Sequence, residues 1–497
     1  MSRLSGSTQP LPRSVRWGSA VLVAVTFGAV LLSLGRADVW VGVKAEQPDR
    51  PVRASVLQIG SRLELFVDDF VVERLEGGAE LKLQRPVPRE VVLETDRPWE
   101  GNTCAYFTVF RDGDLFRMYY RGSHADEKTH KSTHREVTCY AESRDGIHWT
   151  RPQLGLFEFD GSKQNNIVWD GIGTHDFTPF KDTNPACPPE ARYKAVARGR
   201  PRGKKGLYVF QSPDGIHWSL MHPEPVITEG AFDSQNLAFW DPHVGLYREY
   251  HRTFHHGFRA IMTSTSRDFI HWTKPVLLQY PGAPEEHLYT NAVLPCPRAP
   301  HILIGFPTRY LPNEGSRVEP TFMASRDGVV FHRWLEPVIP KDAPSERSGN
   351  RSNYMAWGVV QLPERDREYS VYATESYYTG RSGRLRRFTY RVDGFVALQA
   401  HSEKGCLLTK PLLAKGRRLL VNFRTRPGGA MRVELQTADG QPVEAFRLDR
   451  CRPLRGDEID FTVQWRHAPD LAEVLKRPVR VKFELQNALL FSFRFAP

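Results

Sequence analysis

The sequence predicts an all-β protein: a five-bladed β-propeller followed by a β-sandwich domain, behind an N-terminal apolar targeting helix. Three observations carry this. One motif recurs as SRDGIHWT at Ser143–Thr150, SPDGIHWS at Ser212–Ser219, SRDFIHWT at Ser266–Thr273 and SRDGVVFHRW at Ser325–Trp334. Such spacing marks a fold assembled from one repeated supersecondary unit. Short runs rich in Tyr, Phe, Val and Arg are common while long helical periodicity is nearly absent, a strand signature. After Asp393-Gly394-Phe395 the repeat stops, and LLVNFRTRPGGAMRVELQTADGQPVEAF and RPVRVKFELQNALLFSFRF alternate with hairpin turns, as sandwich strands do.

The chain opens with Arg3, Arg13 and Arg16, then an uncharged apolar run from Gly18 to Gly35 closed by Arg36. Residues 1–37 therefore read as a signal peptide or an uncleaved signal anchor, since the run is just long enough to span a bilayer. The basic flank keeps the N-terminus cytoplasmic. The folded part is expected to be exported: secreted, periplasmic or anchored to the membrane through this segment alone. Residues 38–60 read as a linker, 61–392 as the propeller and 393–497 as the sandwich.

Each repeat follows a β-like run, and its Asp-Gly supplies a tight turn with positive φ at Gly. The Ser and Asp side chains can bond the turn's own backbone, and the Trp begins the next strand as packing surface. Five such units run from Trp99 onward, the fifth lacking the Ser-x-Asp turn, and four short strands per unit indicate propeller blades. A ring must close; the spare strand Leu63–Glu73 (LELFVDDFVVE) is expected to complete the last blade. Asp112, Asp182 and Asp241 fall in the next turn of their units and read as turn residues.

Formal net charge is +11. A solvated basic surface accounts for it, as does attraction to acidic polymers. No zinc spacing or recognition-helix pattern is present, so no nucleic-acid partner is expected. The six cysteines have no metal spacing. Cys406 and Cys451 share the C-terminal segment and could pair after export; unpaired thiols are the alternative. No cofactor or metal is implied, although clustered carboxylates would allow a structural calcium ion.

The innermost strand of each blade lines the channel, and its first residues crowd one mouth. Aligned units place Glu100, Asp176, Asp233, Glu286 and the Arg351/Asn353 pair there. Carboxylates crowded at one axis repel, so some pKa values must rise. A neutral carboxylic acid beside an ionised one is what glycosidic cleavage requires. Trp99 would stack on a sugar ring, and His175, Gln235, Asn236, Arg309, Arg351 and Asn353 would bond hydroxyls or an anionic substituent.

With these turns, blades and trailing domain, the sequence resembles the five-bladed glycoside hydrolases related to families 32 and 43, from about Leu63 to the C-terminus. The resemblance implies a carbohydrate substrate, a base or nucleophile at Glu100, an assisting carboxylate at Asp176 or Asp233 and an acid at Glu286. The Asn-Asp-Pro, Arg-Asp-Pro and Glu-Cys motifs of the fructan enzymes are absent, so fructan activity is not expected. The turns also resemble sialidase Asp-boxes, but those proteins usually have six blades, and no Phe-Arg-Ile-Pro stands near the start. The leading expectation is an exported glycosidase. A non-catalytic carbohydrate-binding or envelope-scaffold propeller is the alternative, to be favoured by a plugged channel or by carboxylates tied to arginine. Phosphorolysis would need a basic phosphate pocket near the mouth.

Overall fold

The computed structural model describes residues 56–340 and 353–497. The targeting segment 1–37, the linker up to residue 55 and Arg351 lie outside the described residues.

Four blades are four-stranded antiparallel sheets. The first is Ala105–Asp112, Leu115–Gly122, Val137–Ser143 and Ile167–Trp169. The second is Thr178–Lys181, Tyr193–Gly199, Gly206–Ser212 and Ser219–Leu220. The third is Leu237–Asp241, Leu246–His255, Phe258–Ser266 and Val276–Leu277. The fourth is Leu294–Cys296, Ala299–Gly305, Phe322–Ser325 and Phe331–Trp334. The fifth holds Glu368–Glu375 and Arg384–Arg391, with an irregular inner segment bridged at Met355 and Val360.

Ring closure differs from the expectation. Val87–Glu94, not Leu63–Glu73, is the outer strand of the fifth blade, antiparallel to Arg384–Arg391. The fully buried Arg387 grips this strand by donating to both Glu90 carboxylate oxygens at 3.0 and 3.1 Å. The Leu63–Glu73 stretch is too acidic and irregular for a ladder of that length, and its strands serve the C-terminal sheet instead.

The repeated turns explain themselves once the blades are side by side. Ser143 Oγ accepts from the N–H of Asp145 and Gly146, and Asp145 Oδ1 from those of Ile147 and His148; the other copies do the same. Each glycine carbonyl then receives a tyrosine hydroxyl from the preceding blade: Tyr372 to Gly146, Tyr119 to Gly215, Tyr250 to Gly328. A Cβ on Gly215 would stand 2.7 Å from the Tyr119 hydroxyl, so glycine is needed for space as well as for φ. The second blade offers Val196 where the others have tyrosine, and the third turn carries Phe269 instead of glycine, its buried ring filling the gap. The four copies are interblade clamps. Asp112 and Asp182 staple blades too, Asp112 reaching Lys181 and Tyr193 and Asp182 reaching Tyr247.

The C-terminal residues form one ten-stranded sheet rather than standing alone. Leu57–Gly60 pairs with Leu412–Ala414, Glu64–Leu65 with Val479–Ala496, Val72–Gly77 with Gly405–Thr409, and Glu80–Leu83 with Val396–Ala400. Residues 57–83 thus belong to this sheet, which corrects both the linker end at 60 and the propeller start at 61. A single sheet around one core must bend over itself, and bulges between Asn422 and Phe423 and between Thr425 and Ala430 supply the bend. All six cysteines are unpaired, Cys406 and Cys451 included.

Candidate active site

One end of the channel opens into a cavity of ≈ 470 Å³ lined from all five blades, through Thr108, Phe180, Trp240, Leu294 and Trp357 among others. The starts of the innermost strands therefore face the other mouth. There, side chains touch in a closed circle. The Tyr106 ring lies 5.6 Å from His175. His175 Nε2 is 3.0 Å from Asp233 Oδ1. Asp233 lies 3.9 Å from Arg252, whose guanidinium sits 4.9 Å from the Tyr289 ring. Tyr289 faces Tyr354 at 5.9 Å, and Tyr354 faces Tyr377 at 5.5 Å. Arg121 closes the circle, donating to the Tyr377 hydroxyl at 3.0 Å and lying 4.9 Å from Tyr106.

On this circle, His175 bridges two carboxylates. Its Nδ1 is 2.9 Å from Glu136 and its Nε2 meets Asp233. Asp233 is 49% exposed, and the hydrogen bond from His175, with the charges of Arg198 and Arg252, holds it well below the usual carboxylate range. Burial would raise Glu136, but the hydrogen bond from His175 and the Arg121 charge keep it low. Asp176 is fully buried beneath, accepting from the Arg198 N–H at 2.9 Å and from the Asn236 amide. Burial pushes its carboxyl up to about 7. The mouth thus holds a carboxylate kept ionised, a histidine placed to pass a proton, and a buried carboxyl that titrates near neutrality.

That last property has a measurable sign. Asp176 keeps its proton to about 7 when folded, against an ordinary value of 3.8. Between those values the unfolded chain has released a proton that the folded chain retains. The group therefore costs stability as pH rises from 4 to 7, reaching up to about 4 kcal/mol and staying constant above. Relative to Asp176→Asn, the wild type is expected to lose melting temperature across that window. Parallel melting curves would show that Asp176 is already ionised in the fold.

The structure brings His175, Asp176, Asp233 and Asn236 together and gives Glu100, Trp99, Glu286 and Arg309 partners elsewhere. Glu100 lies behind the first blade, 2.5 Å from the Tyr120 hydroxyl and 3.2 Å from Arg151, with burial raising its pKa. Glu286 lines a cavity between the third and fourth blades and pairs with Arg333 at 2.5 Å and Arg309 at 3.3 Å. Both sit before their innermost strands begin, and the loops carry them off the axis. Trp99 packs edge-on to Phe159 and donates to Asn166. Gln235 spans the channel, its amide 3.2 Å from the Tyr106 and Phe107 carbonyls and the Thr108 hydroxyl. Asn353 is buried with φ 148°, and its carboxamide has no hydrogen-bond partner among the described residues. The four proposed carboxylates form no cation cage. Among the described residues, the grouping with metal-ligand spacing is His255, His256 and Glu285, exposed at and beside the hairpin that joins the two middle strands of the third blade.

Sequence reasoning missed Tyr106, Arg121, Glu136, Arg198, Arg252, Tyr289, Tyr354 and Tyr377. The tyrosines carried a signal, because Tyr289 and Tyr354 stand near the starts of the fourth- and fifth-blade inner segments. Glu136 carried none, since it precedes the third strand of one blade and has no repeated counterpart.

No family model and no curated protein matches the chain. Among solved structures it is similar to a thermostable family-43 glycoside hydrolase, at 14% identity and TM-score 0.44, over 61% of this chain and 96% of that one. It is similar to an N-acetylgalactosamine deacetylase from F. plautii in complex with blood group B trisaccharide, at 11% and 0.44, over 63% and 96%. A β-1,2-mannobiose phosphorylase from Listeria innocua gives 12% and 0.43, over 62% and 98%. At these values the likeness concerns the fold alone.

Proposed function

We propose that this protein is a carbohydrate-active enzyme that cleaves a glycosidic bond at the aromatic mouth of the propeller. The observation that carries this reading is the Glu136–His175–Asp233 bridge set within a ring of tyrosines. Half-buried tyrosines offer flat apolar faces with polar tips, which suit a sugar ring. Asp233, ionised and half exposed, acts as base toward water or as nucleophile toward the anomeric carbon. His175, which donates to both Asp233 and Glu136, gives a proton to the leaving oxygen and recovers one from Asp233 after water has been deprotonated. Asp176 is a positioning residue, fixing Asn236 and the backbone at Arg198 under the site.

A binding-only propeller is the second reading, and specific observations favour it. Glu100, Asp233 and Glu286 each meet arginine, and Gln235 bonds across to the Tyr106 carbonyl of the first blade. The two readings separate by following sugar release by residues 56–497 from neutral, uronic and sulfated polysaccharides, with binding measured on the same panel. Release from any member establishes the enzyme. Binding with no release on any member would replace it with the scaffold. An N-terminal export segment fits either reading, and residues 1–37 are proposed to deliver the fold outside the cytoplasm.

A further inference from the structure

Beside Asp233, between the second and third blades, lies a cavity of ≈ 500 Å³. Arg198, Arg200, Lys205 and Arg252 line it, against the single carboxylate of Asp233. That carboxylate is already shared among His175, Arg198 and Arg252. Arg200 and Lys205 are exposed and make no ion pair among the described residues, whereas the neighbouring Lys204 is tied to Glu224 at 2.7 Å. Positive charge is therefore in excess, and two of the cations are uncommitted. Phe254 forms part of the wall, 51% exposed, with the Arg252 guanidinium 5.4 Å from its ring. An exposed aromatic beside unpaired cations is a poor arrangement for stability alone and a good one for a ligand with both a flat face and a negative group. Guanidinium forks bind carboxylate and sulfate oxygens in pairs.

We infer that this pocket is an oxyanion subsite that takes the carboxylate or sulfate ester of an acidic sugar, with Phe254 against the ring. The inference rests on the carbohydrate reading and assigns its substrate class. Asp233 at the pocket edge places the charged sugar next to the bond to be cleaved.

The test is calorimetric binding of three oligosaccharides to the chain from residue 56: oligoglucuronate, sulfated oligogalactose and unmodified oligogalactose. Inorganic phosphate is titrated alongside. The acidic oligomers are expected to bind at least about tenfold more tightly than the neutral one, with the preference falling at high salt. The double variant Arg200→Gln/Lys205→Gln, both at exposed positions, is expected to erase the preference without moving the melting temperature. Equal binding of charged and neutral sugars, or a preference untouched by the double variant, overturns the subsite. Tight phosphate binding with phosphate-dependent product overturns the sugar-borne source in favour of a phosphate co-substrate. Charge preference without sugar release on any substrate would keep the subsite and remove the enzyme; release without preference would do the reverse.

Discussion

Asp233→Asn is expected to lower turnover of a responsive polysaccharide by about 10²–10⁴-fold, and to lower the melting temperature as well, because the fold holds this carboxylate in its charged form. The substitution is nearly isosteric at a half-exposed position, so packing is spared. What is lost is the negative charge that His175, Arg198 and Arg252 converge on. An amide there can neither accept a proton from water nor attack an anomeric carbon. Glu136→Gln should cost less, because Glu136 reaches the reacting group only through His175. It should also change the pH profile more than the KM, which a purely structural role would not do. Since Asp233 stays ionised well below neutrality, the acid limb of the wild-type profile should not follow its titration. Turnover retained in Asp233→Asn would move the chemistry away from this mouth. Glu286→Gln is expected to leave turnover within about threefold, because its carboxylate sits between two arginines in a separate cavity.

The architecture was legible because its signal is periodic. Ser-x-Asp turns repeat in sequence since each must dock on its neighbour, and Phe269 shows the rule by breaking it where Val196 replaces tyrosine. The mouth was half legible for the same reason. Asp176 and Asp233 stand two and four residues before their inner strands, and alignment by repeat found them. Glu100 and Glu286 aligned equally well yet stand five and eight residues before theirs, and as little as one more residue of loop is enough to turn a side chain from the axis into a blade. Chain closure was misread because hydrophobic alternation does not say which edge a strand joins. Val87–Glu94 is mostly exposed and reads as weak, yet a backbone ladder and Arg387 hold it.

Removing residues 56–84 is expected to abolish cooperative unfolding of the whole chain, although the deletion spares every blade strand. Ile59, Leu63, Leu65, Phe66, Val67, Val71 and Leu83 are all at most 7% exposed. Each buried side chain is worth about 1.5–3 kcal/mol, so together they match or exceed the roughly 5–15 kcal/mol that holds a typical domain folded. Deletion also strips pairing partners from Gly405–Thr409 and Val396–Ala400, leaving unpaired edges prone to aggregate. The segment ties the sheet to the fourth blade as well. Arg326 donates to both Asp68 oxygens and to Glu64, and the Trp334 indole donates to the Val67 carbonyl. Burial would raise Glu64, but the His301 hydrogen bond and the charge of Arg326 bring it to about 2, so this seam stays charged at working pH. Calorimetry of chains starting at 56 and at 85 decides the matter. A single transition in the longer protein and none in the shorter is the expected pair of results. A shorter chain melting at the same temperature would make the segment an addition to a self-sufficient propeller.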